Sequence, residues 1–138
     1  MNKPLIEFRN LGHSQSGEEG VVARIFEILG LQKGLCCEFG AWDGTHLSNT
    51  RALMERGWRG LMIEADPERF LDLKKTYPDG SNAICACEFV DDASNSLANI
   101  AKRVGLTERF DFLNIDIDGL DYAMFESLTQ FERVPLVL

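Results

Sequence analysis

Basic residues are the minority in this chain: 14 lysines and arginines stand against 22 aspartates and glutamates, a formal net charge of −8. Duplex nucleic acid and anionic membrane surfaces both call for a basic face, so neither is an expected partner. No apolar run is long enough to span a bilayer, and Met1-Asn2-Lys3-Pro4-Leu5 lacks a signal-peptide core. The expected location is the cytoplasm. Cysteine is sparse, four residues in two pairs, Cys36-Cys37 and Cys85-Ala86-Cys87. Neither pair has the C-x-x-C spacing of zinc and redox sites, so buried free thiols are expected. The chain also has no G-x-G-x-x-G fingerprint, no lysine after Gly44 to complete a phosphate loop, and no repeat, linker or low-complexity segment.

What is present is an alternation. At 138 residues and 45% hydrophobic content the chain is long enough for one domain with a core. Residues 1–34 are expected to form an irregular lead-in and a helix. Ser16 and Glu19 fit an S-x-x-E capping box at its start, and Val21, Val22, Ile25, Phe26, Ile28 and Leu29 form its apolar face up to Gly30. From residue 35 onward, strands and helices alternate. Apolar runs at 35–39, 60–64, 82–87, 110–116 and 134–138 read as buried strands. Helices are predicted over 45–56, from Asp66-Pro67 to Tyr77, over 96–104 and over 121–130. Phe70, Leu71 and Leu73 are the inward positions of the second of these, and Tyr122, Phe125 and Leu128 those of the last. That order predicts a doubly wound, mostly parallel α/β sheet of about five strands with right-handed crossovers.

The stretch Glu38-Phe39-Gly40-Ala41-Trp42-Asp43-Gly44 is where the first strand hands over to a turn. Gly40 and Gly44 are expected to leave room for a ligand at the backbone, with free N–H groups of the following helix facing the same space. An acid before the turn suits a cationic ligand better than a pyrophosphate. Glu38, Glu64, Glu88 and Asp116 fall at or just past four consecutive strand ends. Ligands of open α/β sheets bind beyond those ends. Each acid alone is more commonly a solvated loop residue; four in phase with the strands point to a site.

Three blocks carry a family resemblance: residues 38–44; Gly57-Trp58-Arg59-Gly60-Leu61-Met62-Ile63-Glu64-Ala65-Asp66-Pro67; and Ile115-Asp116-Ile117-Asp118-Gly119-Leu120-Asp121-Tyr122. In this order and spacing, preceded by Ser14-Gln15-Ser16-Gly17-Glu18, they resemble the FkbM-type S-adenosylmethionine-dependent methyltransferases. The resemblance implies a class I, Rossmann-like methyltransferase sheet and transfer of a methyl group, most readily to a hydroxyl of a small molecule or glycan. It implies that Glu38 and the turn of Gly40, Trp42, Asp43 and Gly44 hold the methionine end of the cofactor. Glu64, with Ala65, would hold the ribose hydroxyls, and Cys87 and Glu88 the adenine edge. Asp116 would face the cofactor's amino group or the reacting centre. His46, the histidine nearest this turn, is a candidate general base, the plainer alternative being a hydrogen bond at a helix start. Asp116 and Asp118 are candidate oxygen ligands for magnesium, unless Asp118 only caps the turn before the next helix.

Two other functions compete. Asp116-x-Asp118-Gly119 also resembles the motif of haloacid-dehalogenase-type phosphatases, although that motif belongs on a first strand. A full methyltransferase sheet has seven strands and this sequence stops within a fifth, so a non-catalytic or truncated cofactor-binding domain is the main alternative. The same end predicts an uncovered apolar edge and a homo-oligomer paired through it.

Overall fold

Leu35–Phe39 is buried at all five positions, which only a strand with neighbours on both edges and cover on both faces achieves. The computed structural model describes residues 3–91, 93–117, 119, 121–129 and 135–138. After a single 3₁₀ turn at Leu5–Phe8, the elements are α1 (Glu18–Ile28), β1 (Leu35–Phe39), α2 (Arg51–Glu55), β2 (Arg59–Glu64), α3 (Pro67–Thr76), β3 (Ala83–Cys87), α4 (Leu97–Arg103), β4 (Phe112–Asn114) and α5 (Asp121–Thr129). The four strands form one all-parallel sheet in the order β3-β2-β1-β4. The chain winds outward from β1 to β3, then returns to pair β4 on the other side of β1. The switch in direction therefore opens a crevice at the carboxyl ends of β1 and β4.

Successive side chains of a strand point to opposite faces, and the core divides accordingly. Leu35, Cys37, Phe39, Leu61 and Ile63 pack with Leu97, Ile100 and Ala101 of α4 and Met124 and Leu128 of α5. Cys36 and Met62 point the other way, to Val22 and Phe26 of α1, Leu53 and Met54 of α2, Leu73 of α3, Trp58 and Tyr77. Helices thus cover both faces. The phase of β1 puts Glu38 on the α1–α3 face, inside the protein.

Several expectations shift, each for a local reason. The helix predicted over 45–56 begins only at Arg51, because residues 48–50 turn their donors to Glu38 and Leu47 takes a left-handed φ of 55°. The α1 cap forms on Ser14 in place of Ser16. Glu19 accepts from the N–H of Ser14 (2.6 Å) and of His13 (3.0 and 2.9 Å), while Ser14 Oγ accepts from Glu19 N at 3.4 Å. Gly17, in the left-handed region with φ 83°, carries the chain into the helix. Ile28, Leu29 and Leu71 are exposed, as are Tyr122 and Phe125; α5 buries Met124 and Leu128, one turn apart. β4 is short, three residues against the seven expected, since only Cys36 to Glu38 of β1 pair with it. Among the described residues the sheet has four strands. Of the fifth run expected, Val137 makes one parallel bridge to Phe112 on the outer side of β4, and Val134 and Gln130 lie outside the described residues. Cys36 and Cys37 are buried free thiols whose pKa burial pushes up, but Cys85 is only half-buried and Cys87 is exposed on the edge strand. β2 separates the two cysteine pairs. Among the described residues no helix is long and apolar enough to cross a membrane.

Candidate functional site

Glu38 sits at the carboxyl end of β1 with 3% of its surface exposed. A carboxylate there must be satisfied internally. One oxygen accepts from Ser48 Oγ (2.7 Å) and Thr50 Oγ1 (2.8 Å), the other from Asn49 N (2.9 Å) and Asn114 Nδ2 (3.0 Å). Burial pushes its carboxyl above the ordinary carboxylate range, although all four hydrogen bonds pull the other way. Its four acceptor positions go to the chain's own donors. Glu38 is thus the post around which residues 48–50 wrap and to which Asn114 of β4 is tied. It pins the two sides of the crevice together.

The turn after β1 is built differently from the expectation that two glycines face a ligand. Gly40 has φ 65°, and a Cβ there would lie 2.6 Å from the carbonyl oxygen of Asp116. Its lack of a side chain lets β1 and the segment after β4 approach. Gly44, φ 74°, is buried under α3; a Cβ would lie 2.5 Å from the ring of Tyr77 and 3.0 Å from Leu73. The N–H groups of Thr45 and His46 are taken by Asp43 Oδ1 at 2.8 and 2.7 Å. Burial raises the Asp43 carboxyl, but those hydrogen bonds outweigh it and hold it below the usual range. Asp43 is therefore the organiser of the turn, and its N–H groups are not left facing the cavity.

Two cavities meet at Phe39 and Gly40. The larger, about 310 Å³, is lined by Glu38, Ser48, Asn114 and Asp116 on the β1–β4 side and by Trp42, His46 and Arg69 on the other. The smaller, about 210 Å³, lies over the ends of β2 and β3 and is lined by Ile63, Ala65, Glu88, Phe89, Val90 and Ile117. Glu64, 5% exposed, lines neither cavity but is hydrogen-bonded to backbone beside both. One of its oxygens accepts from the N–H of Trp42, a wall residue of the first cavity, and the other from the N–H of Asp66, next to Ala65 in the second, both at 2.8 Å. Each oxygen retains a lone pair beyond its backbone donor. Glu88 accepts from Asn95 Nδ2 and pairs with Arg103, both at 3.1 Å, and these contacts hold its carboxyl below the usual range.

Of the residues singled out from sequence, Glu38, Gly40, Trp42, His46 and Asp116 line the larger cavity, and Ala65 and Glu88 the smaller. Asp43, Gly44, Glu64 and Cys87 line neither. Asp118 lies outside the described residues, so only Asp116 of the suggested magnesium pair is described. Among the described residues no group of three or more His, Cys, Asp or Glu converges as a metal site. Sequence reasoning missed Ser48, Thr50, Asn114 and Arg69. The first two sat inside a segment that looked helical. Asn114 was legible as the polar residue in the otherwise apolar Phe112-Leu113-Asn114-Ile115.

Asn49 carries one further signal. Its Nδ2 donates to Asn114 Oδ1 at 3.2 Å, which orients the amide, and its Oδ1 is buried with no donor among the described residues. An orphaned buried acceptor beside Ser48 and Asn114 invites a donor from outside. No protein-family model matches this chain, and no curated protein matches it.

Proposed function

We propose that this chain is an S-adenosylmethionine-binding domain of the class I, FkbM-like methyltransferase type, acting on a hydroxyl of a small molecule or glycan. The observation that carries the proposal is the pair of cavities astride Gly40, one polar and one largely apolar, with Glu64 hydrogen-bonded to backbone beside both, at the switch point of a parallel sheet. The larger, at about 310 Å³, is near the lower end of the roughly 300–1,000 Å³ common for ligand pockets.

The donor set fits this cofactor. A ligand with an ammonium group and ribose hydroxyls brings donors. The larger cavity offers the Asp116 carboxylate, behind its wall the buried Glu64 keeps lone pairs beyond its two backbone donors, and the orphaned Asn49 Oδ1 lies beside the lining residues Ser48 and Asn114. A flat base suits the smaller cavity, walled by Phe39, Ile63, Val90 and Ile117 with the exposed Phe89 at its side. When bound, S-adenosylmethionine supplies a methyl group already activated on a sulfonium. The protein's task is then mainly alignment, and no covalent nucleophile is required. Glu38 keeps the crevice walls in register. Asp116 receives the proton of the acceptor hydroxyl, with His46 on the opposite wall able to orient that hydroxyl.

Calorimetric titration with S-adenosylmethionine, NAD and p-nitrophenyl phosphate tests the proposal directly. Saturable heat with the first and none with NAD is expected. Binding of NAD or the phosphate ester in its place, or of none, removes the assignment. Within the same experiment, Glu64→Ala is expected to weaken cofactor binding by about 1–3 kcal/mol, because buried ribose hydroxyls lose their acceptor. Unchanged affinity in a variant with a wild-type circular dichroism spectrum would take Glu64 out of the site.

A further inference from the structure

Trp42 is held in a conformation that its side chain disfavours. Its φ of 46° lies in the left-handed region, uncommon for a bulky residue, and its ring is 38% exposed and so gains little burial in return. Such strain persists where the surroundings over-determine it, and it concentrates at ligand sites. Here the surroundings are specific. The backbone N–H of Trp42 is fixed to Glu64, the guanidinium of Arg69 lies 4.6 Å from the ring centroid, and the ring of His46 meets it edge-on at 4.9 Å and 77°. All three side chains line the larger cavity.

The charge of Arg69 needs a partner. Among the described residues Arg24, Arg51, Arg59 and Arg103 each pair with a carboxylate, while Arg9, Arg56, Arg69 and Arg109 have no ion pair. Of these four only Arg69 lines the larger cavity, and it is unpaired although Asp66, Glu68 and Asp72 are its helix neighbours and the chain carries a net charge of −8. Its guanidinium is drawn over Trp42 and into the cavity wall instead. A guanidinium fork binds the planar oxygens of a carboxylate or the oxygens of a phosphate bidentately, and an aromatic face beside it packs the body of the same ligand. Asp116 contributes to the same cavity from the far side of β1, so an anion is repelled from that end and drawn to the Arg69 end.

We propose that the methyl acceptor is an anionic hydroxyl compound, whose carboxylate or phosphate is gripped by Arg69 while its ring or chain lies on Trp42. The acceptor role rests on the methyltransferase reading above; the anion site can be tested without the cofactor. Trp42 is the exposed tryptophan and Trp58 is 1% exposed, so ligand-dependent emission changes report on Trp42. D-glucuronate supplies a carboxylate, glucose 6-phosphate a phosphate, and glucose neither.

Either anion, or both, is expected to give a saturable emission change that glucose does not, and the responding probe names the class. In Arg69→Gln the half-saturating concentration should rise at least tenfold, with Arg69→Lys intermediate and calorimetric affinity for S-adenosylmethionine within twofold of wild type. Trp42→Phe should abolish the signal. Equal responses to glucose and the anions, or an unchanged response in Arg69→Gln, overturn the proposal. So does an Arg69→Gln variant that loses S-adenosylmethionine and keeps the anion response, which would assign the guanidinium to the cofactor. An Arg69-dependent anion response in a protein that does not bind S-adenosylmethionine supports the anion site and removes only the methyltransferase assignment.

Discussion

Glu38→Ala is expected to destabilise the fold by about 3–5 kcal/mol, because it leaves four oriented donors without their acceptor in a space that Ala does not fill. Ser48, Thr50, Asn49 and Asn114 lose their common partner, and with it the tie between the loop and β4. Ligand binding should vanish with it. Glu38→Gln behaves differently. The amide oxygen still accepts from Asn49 N and Asn114 Nδ2, and its NH₂ faces the hydroxyls of Ser48 and Thr50; the Thr50 hydroxyl can reverse and accept, while Ser48 Oγ already accepts from the N–H groups of Thr50 and Arg51. This variant therefore folds and isolates the charge. Because burial raises the folded-state pKa of Glu38, the folded chain holds that proton more tightly than the unfolded chain does. Ionisation then costs stability, beginning near the ordinary carboxylate value of about 4.5 and complete above the raised folded value. Urea melts from pH 4 to 7.5 should show the Gln variant gaining on wild type as pH rises. A constant difference across that range would mean that burial does not raise the Glu38 carboxyl.

The fold was largely legible because burial on both faces leaves a plain mark on sequence. Leu35-Cys36-Cys37 and Leu61-Met62-Ile63 admit little but a covered parallel strand, and Asp66-Pro67 starts a helix with its cap visible, Asp66 accepting from the N–H of Glu68 and Arg69. Acids at strand ends were legible for the same periodic reason. The use made of each acid was not. Glu38 and Glu64 are both buried and look alike in sequence, yet one is saturated by the side chains of Ser48, Thr50 and Asn114 and the N–H of Asn49 while the other binds only two backbone N–H groups. Such long-range satisfaction has no local signature. It also explains the misplaced start of α2: the hydroxyls of Ser48 and Thr50 and the N–H of Asn49 turn inward to Glu38, and the helix begins only after them. In α5 the apolar residues Tyr122, Met124, Phe125 and Leu128 offer two possible stripes, and only the position of the sheet selects Met124 and Leu128.

Three glycines with left-handed φ allow the last expected result to be read against its own controls. Gly30, at φ 70° with nothing within 4 Å of a built Cβ, is the strain-only case, and Gly30→Ala should cost about 1–2 kcal/mol. Gly44→Ala adds a collision with the ring of Tyr77 at 2.5 Å, under α3 and outside both cavities, so overpacking adds roughly 1–3 kcal/mol. Gly40→Ala is the severe case for function. Its Cβ would lie 2.6 Å from the Asp116 carbonyl oxygen, and backbone cannot swing aside as a side chain can. Relief requires the segment after β4 to move away from β1, which separates Asp116 from the turn and deforms the shared wall of both cavities. A stability loss of roughly 2–4 kcal/mol is expected, together with loss of S-adenosylmethionine binding by at least a hundredfold. Gly44→Ala, at comparable cost in stability, should bind within tenfold of wild type. Equal binding losses in the two variants would show that the site senses only overall stability, and the close approach of β1 to Asp116 would lose its functional meaning.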